Sequence, residues 1–179
     1  FFPTLSSSPF SEIRKAVDIC EKLMAESDSP ILGLHVEGPY LNRKMAGEQF
    51  ANQVKEVDVA EYTSLLESTD CIKRWDASPE LPGALDFARY LKSKGIVGAV
   101  SHTEAEYDGI KEAYEAGFTH AAHFYNAMPG FHKRREYKYE GTVESVYLTD
   151  GMTIELIADG IHLPSTILKL AYKLKGVEH

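Results

Sequence analysis

Six short apolar runs alternate with six amphipathic helical patterns along the 179 residues, and this alternation constrains the fold more than any other feature. The apolar runs cover residues 1–5, 31–39, 71–80, 95–102, 118–128 and 152–160. Ser8 and Pro9 open the first helical pattern, in which Ile13, Val17, Cys20 and Met24 share a face up to about Ser27. Further helices are expected near 57–66, from Pro82 to a Gly95 stop, from a Thr103 cap to Gly117, near 143–148, and from Pro164 onward. In the last of these, Ile167, Leu168, Ala171 and Leu174 form the apolar stripe. Polar loops are expected at 41–54 and from Met128 to about Gly141. Short strands that each feed a helix argue for βα units and a parallel sheet.

No glycine-rich phosphate loop follows any of the runs, so a nucleotide-binding doubly wound sheet loses its main support. Polar residues collect instead where the runs end: Glu37, Glu80, His102, His123 with Asn126, and Asp159 with His162. That distribution is expected of a TIM-type (β/α) barrel, whose site is built from the loops after its strands.

Composition narrows the partners. A net charge of −8 argues against nucleic acid, which demands clustered Lys and Arg. The basic run His132-Lys133-Arg134-Arg135 is too short to reverse this, although it suits a single small anion. No apolar run approaches the roughly 18 residues that span a bilayer, and no signal-peptide pattern is visible. Cys20 and Cys71 lack C-x-x-C spacing, so a reduced, cytoplasmic protein is expected. The chain starts without Met inside an apolar run and stops three residues after Gly176, which reads as a piece of a larger protein.

Glu37, His102 and His123 form the sharpest constellation. Each ends a different predicted strand, so a parallel barrel would bring all three to one mouth. Two imidazoles and a carboxylate match the protein ligands of a hydrolytic metal site with one position open to water. His120 and His123 differ by an odd number, so on a strand they would face opposite sides; His123 is the expected ligand and His120 structural. His35 shares a face with Glu37 one layer deeper and is expected to support the site. In the stretch NAMPGFHKRRE, Asn126, the Ala127 N–H and Arg134 or Arg135 are candidates for holding a phosphate. A solvated basic loop is the alternative.

The stretches FFPTL, GLHVEGPYLN, SPE, SHTEAEYDGIKEAYEAGFTHAAHFYNAM and IADGIHLP together resemble the N-acetylglucosamine-6-phosphate deacetylases of the amidohydrolase superfamily. They run in the family's order and cover nearly the whole chain. The resemblance implies Glu37, His102 and His123 as ligands of a divalent metal, zinc first and iron, manganese or cobalt as alternatives. It implies Asn126, the Ala127 backbone and His162 as contacts to the substrate sugar or phosphate, and one of Arg134 and Arg135 on the phosphate. It also implies a homodimer, because that arginine and the counterpart of His162 can reach a neighbouring subunit's site. Gln49 falls where the family has a substrate-facing Gln or His, while Glu48 departs from the family's small residue there.

The family's general acid/base is an Asp on the eighth barrel strand, and nothing after Gly160 matches it. The first strand and the family's small β domain find no match either. The expected fold is therefore strands two to seven of an eight-stranded metal-dependent hydrolase barrel, residues 1–179 forming one partial catalytic domain. The expected activity is deacetylation of N-acetylglucosamine 6-phosphate. A sister amidohydrolase acting on another N-acyl sugar or cyclic amide, or an inactive fragment, is the alternative. Two open sheet edges would make such a piece prone to self-association.

Overall fold

The computed structural model describes all 179 residues. In chain order the elements are β1 (Thr4–Leu5), α1 (Phe10–Met24), β2 (Leu34–Glu37), α2 (Val59–Leu66), β3 (Ile72–Ala77), α3 (Ala84–Ser93), β4 (Val97–Val100), α4 (Tyr107–Ala116), β5 (Phe118–Ala121), β6 (His132–Arg134), β7 (Tyr137–Tyr139), α5 (Thr142–Tyr147), β8 (Thr153–Ile154) and α6 (Ser165–Lys175). Six strands form one sheet in the order β1-β2-β3-β4-β5-β8, and every pairing is parallel. A sheet that keeps sequence order never reverses direction of winding, so its helices lie on one side, as in a barrel wall. The edge strands β1 and β8 are each two residues long.

Period-2 alternation sorts the two faces of this wall. On β2, Leu34 and Val36 join the apolar core with the helices, while His35 and Glu37 point inward. On β3, Trp75 and Ala77 join that core, and Arg74 and Asp76 point inward. The helix-side core centres on an aromatic cluster. Trp75 and Tyr40 both meet Phe87 edge-on at 5.3 and 5.4 Å, and Tyr62 lies 4.8 Å from the same ring. The buried Trp75 indole donates to the Gly38 carbonyl at 2.8 Å, so core packing also fixes the exit of β2. Gly38 has φ +86, and a Cβ there would collide with the Ser7 hydroxyl, which explains glycine at this exit.

The inner face carries an ionic layer. Asp76 is fully buried and accepts from Arg74 Nε at 2.9 Å and Nη2 at 3.2 Å. His35 Nε2 lies 2.9 Å from Asp76, at an angle short of hydrogen-bond geometry, and its Nδ1 meets the Thr4 hydroxyl at 2.9 Å. Arg74 Nη1 pairs with Glu155, just beyond β8. β3 and β8 stand three strand spacings apart, about 14 Å on a flat sheet, so this contact requires the inner face to be concave.

Several expectations shift. α4 starts at Tyr107 rather than beside Thr103, whose hydroxyl instead donates to Glu80 at 2.5 Å and accepts the Ala105 N–H at 2.9 Å. The loop expected after Met128 contains the antiparallel hairpin β6–β7. On α6 the expected stripe holds at Ala171, which is buried, and at the half-buried Ile167 and Leu168, but Leu174 is exposed and Lys175 is buried in its place. The Lys175 ammonium donates to the Thr149 carbonyl at 2.8 Å, which lets its aliphatic stem replace a leucine.

The parity expectation for His120 and His123 also fails, because β5 ends at Ala121 and His123 lies in the turn beyond it. A register shift between Gly98 and Ala99 of β4 sets Phe118 opposite Gly98 and His120 opposite Ala99. His120 thereby joins the ionic layer, its Nδ1 bonded to the Thr153 hydroxyl at 2.7 Å. Burial, reinforced by Arg74, lowers its pKa from 6.5 to about 4. As pH falls below 6.5 the unfolded chain takes up this proton while the folded chain does not. Stability contributed by the neutral ring is full above pH 6.5 and is lost between 6.5 and about 4. At ~1.4 kcal/mol per tenfold change in proton affinity, the loss reaches about 3 kcal/mol. Urea midpoints measured across this range should fall more steeply for wild type than for His120→Gln; equal slopes would refute the assignment.

Candidate metal centre

Three strand exits deliver the three candidate ligands. Glu37 is the last residue of β2, His102 lies two residues past β4, and His123 two past β5. Both histidines have left-handed backbone, φ +45 and +31, an arrangement costing of order 1–3 kcal/mol per residue and common where a site imposes it. These turns aim the rings back toward Glu37. His102 Nε2 lies 3.0 Å and His123 Nε2 3.3 Å from Glu37 Oε1, and the rings meet edge-on at 4.9 Å. One donor atom from each residue lies within 4.8 Å of the others, so the group can hold a metal ion.

Neighbouring carbonyls set the protonation of both rings. His102 Nδ1 meets the Met45 carbonyl at 2.7 Å, and His123 Nδ1 the Asn126 carbonyl at 3.2 Å. A carbonyl only accepts, so both Nδ1 atoms carry the proton. The two Nε2 lone pairs then face a carboxylate oxygen. Such a cluster is satisfied by a cation, either a second proton on a ring or a metal ion. Burial opposes ionisation of Glu37, yet the two imidazoles overcome it and hold the carboxyl well below its usual range. Burial likewise works against a charged His123, and Glu37 outweighs it, raising the ring's pKa. The donor set and its tautomers therefore fit a divalent metal.

Surrounding groups hold the ligands in place. Gln49 donates to Glu37 Oε1 at 2.8 Å and accepts the Ser7 N–H at 2.9 Å, which fixes its amide. Gln49 thus touches a ligand as well as facing the cavity. Its loop is anchored at Asn42, whose side chain accepts the Lys44 N–H and donates to Glu80 at 2.8 Å. Glu80 is occupied with this loop and with Thr103, away from the ligands. The buried Ser78 hydroxyl donates to the His102 carbonyl at 2.7 Å and accepts the Asn42 N–H at 2.7 Å, joining loop to ligand turn.

The ligands open into a cavity of about 530 Å³. Gly47, Glu48, Gln49, Asn126, Ala127 and His162 are among the residues that line it. Asn126 donates its amide to the His123 carbonyl at 3.0 Å. Ala127 has φ +51, its carbonyl accepts the Thr103 N–H, and its own N–H donates to no group of the chain. Asp159 accepts the Ile161 and His162 N–H groups and the His162 ring, bonds that lower its pKa to about 2. It therefore orients His162 and stays ionised.

Neither Arg134 nor Arg135 lines the cavity. Arg134 pairs with Glu106 and lies 4.8 Å from the Tyr139 ring centroid, while Arg135 occupies the hairpin turn with φ +54 and is exposed. The sequence reading missed the Met45 carbonyl and the Arg74, Asp76 and Glu155 layer. Arg74 and Asp76 stand two apart on one face of a strand whose alternate positions Trp75 and Ala77 are apolar, the same parity signal that singled out His35 and Glu37.

Comparison with known proteins agrees with this geometry. No family model matches the chain. The N-acetylglucosamine-6-phosphate deacetylase of Lysinibacillus sphaericus is 30% identical over 191 residues, covering 99% of this chain and 46% of the relative. That of Bacillus subtilis is 35% identical over 147 residues, 82% of this chain and 36% of the relative. The N-acetylgalactosamine-6-phosphate deacetylase of Escherichia coli O157:H7 is 30% identical, covering 95% and 45%. The crystal structure of the N-acetylglucosamine-6-phosphate deacetylase from Pasteurella multocida superposes with a TM-score of 0.89 at 28% identity, covering 98% of this chain and 45% of that one. The chain spans less than half the length of these relatives. With the same parallel wall and similarity along nearly its whole length, the chain belongs to the N-acetylglucosamine-6-phosphate deacetylase family.

Proposed function

We propose that this chain supplies the metal-binding part of an active site that hydrolyses the acetamide of N-acetylglucosamine 6-phosphate to glucosamine 6-phosphate and acetate. The observation that carries this reading is the convergence of two imidazole Nε2 atoms and one carboxylate oxygen at the wall of a cavity. Zinc is the first choice of metal, with iron, manganese and cobalt suited to the same donors. A divalent ion at such a site acidifies water and polarises a carbonyl.

The chain's own residues prepare that chemistry. Carbonyls of Met45 and Asn126 keep both ligand lone pairs free, and Gln49 turns the Glu37 carboxylate toward them. The free Ala127 N–H, Asn126 and His162 are placed to contact the sugar and its phosphate. Hydrolysis breaks the C–N bond, adds water to the acyl carbon and returns a proton to the amine. The carboxylates lining the cavity are Glu37, a ligand, and Glu48, whereas Asp159 is committed to His162. We assign the proton transfer, as the family resemblance implies, to an Asp that has no counterpart among these lining carboxylates. Arg134 or Arg135 serves the phosphate of a neighbouring subunit in a homodimer, which accounts for their position outside this cavity. No helix is long and apolar enough to cross a membrane, and a cytoplasmic location is part of this proposal.

A second reading has support in the relative from Escherichia coli O157:H7, which is named for the galactosamine epimer. Glu48 in the cavity, where the family has a small residue, is the feature that could shift sugar selectivity. Acetate release by the full-length protein should be compared for N-acetylglucosamine 6-phosphate, N-acetylgalactosamine 6-phosphate and unphosphorylated N-acetylglucosamine. N-acetylglucosamine 6-phosphate is expected to react fastest and to stop reacting after chelation. Equal rates with and without phosphate, or activity indifferent to chelator, would overturn the proposal. Elemental analysis supplies a separate check: wild type should retain a divalent metal through desalting, while Glu37→Gln should lose most of it. Equal metal content in the two would remove Glu37 from the ligand set.

A further inference from the structure

His123 occupies a left-handed turn that its own strand does not support, since β5 ends two residues earlier. Glu155, the residue just past the neighbouring strand β8, grips this turn at three points. The Glu155 N–H donates to the Ala121 carbonyl at 3.0 Å, and the Glu155 carbonyl accepts the Phe124 N–H at 2.7 Å. Between them, Glu155 Oε1 accepts the N–H of His123 itself at 3.4 Å. The other carboxylate oxygen is held by Arg74, whose remaining donors form a fork on the buried Asp76. A carboxylate reaching for one backbone N–H across a barrel interior would otherwise be free to rotate into the cavity.

We propose that Glu155 is the positioning residue for the His123 ligand and that Arg74 acts through it, as the strut that fixes the Glu155 carboxylate. This inference rests on the reading of Glu37, His102 and His123 as a metal centre. Glu155 touches the ligand's backbone rather than the reacting atoms, so its removal should alter the geometry of the centre more than the stability of the sheet. Asp76, buried on both sides of this ladder, gives the guanidinium a fixed anchor on β3. The ligand turn after β5 is thereby tied to two other strands, β8 and β3.

Cobalt(II) added to the metal-stripped protein reads this directly, because its visible absorption reports ligand geometry. Glu155→Ala is expected to weaken cobalt binding by roughly tenfold to hundredfold, the usual effect of losing an outer-sphere support, and to change the visible spectrum. Glu155→Gln keeps an oxygen that accepts the His123 N–H and should retain more of the affinity than Glu155→Ala. If Glu155→Ala does not fold, Arg74→Lys, which keeps the charge and loses the fork, decides on the same two readouts. A variant with wild-type cobalt affinity and spectrum and only a lowered Tm overturns the inference, because that is the result of a merely structural role. A wild-type protein that takes up no cobalt overturns the metal reading, and this inference with it.

Discussion

Two imidazole lone pairs and a carboxylate oxygen brought within 3.0 and 3.3 Å repel one another unless positive charge sits among them. Much of the molecule around the cavity exists to hold that arrangement. The Met45 carbonyl places the proton of His102 on the far nitrogen, and the Asn126 carbonyl does the same for His123. Ser78 clamps the His102 carbonyl, Glu155 the His123 N–H, and Gln49 the free rotation of Glu37. Two left-handed turns, costly on non-glycine residues, persist because these contacts determine them.

The wall behind this centre separates two chemistries. Its outer face is apolar and packs on the helices through Trp75, Phe87 and Tyr62, with every aromatic body buried. Its inner face is polar below the centre, where Arg74, Asp76 and Glu155 form a ladder and His120 stays neutral beside them. Burying an unpaired carboxylate would cost several kcal/mol, and the bidentate fork of Arg74 offsets much of that cost for Asp76. The ladder also crosses the concave face from β3 to β8, so the charges that are satisfied there set the curvature that brings three strand exits together.

Much of this was legible in the residues because periodicity in a strand is strict. Leu34 and Val36 against His35 and Glu37 gave the two faces of β2 directly, and the alternation of strands and helices gave the parallel wall in its order. Parity failed where the chain stops being a strand. His120 and His123 look like opposite faces only if β5 continues, but it ends at Ala121, and a register shift against β4 moves His120 inward as well. The basic run reads as a loop because His132-Lys133-Arg134 and Tyr137-Lys138-Tyr139 lack an apolar face, and the hairpin is held by cross-strand pairing and by Arg134 over Tyr139 instead. Thr103 carries the residue type of a helix cap, yet Glu80 claims its hydroxyl first. Partners distant in sequence decide such positions, and local pattern cannot register them.

Electrostatics makes the hairpin a functional question as well as a structural one. The chain carries a net charge of −8, and the cavity is lined by Glu37 and Glu48 with no lysine or arginine. A doubly charged phosphate would meet repulsion from the protein as a whole and from Glu48 in particular. Under the proposed function, attraction would come from a metal ion at the candidate centre, from the free Ala127 N–H, and from cations outside the cavity. The exposed Lys133, Arg135 and Lys138 of the hairpin are a concentrated supply of such charge near the turn that follows Asn126 and Ala127. Under the proposed function, cations on a hairpin outside the cavity lining would serve a phosphate and leave the Glu37 carboxylate to the candidate metal site.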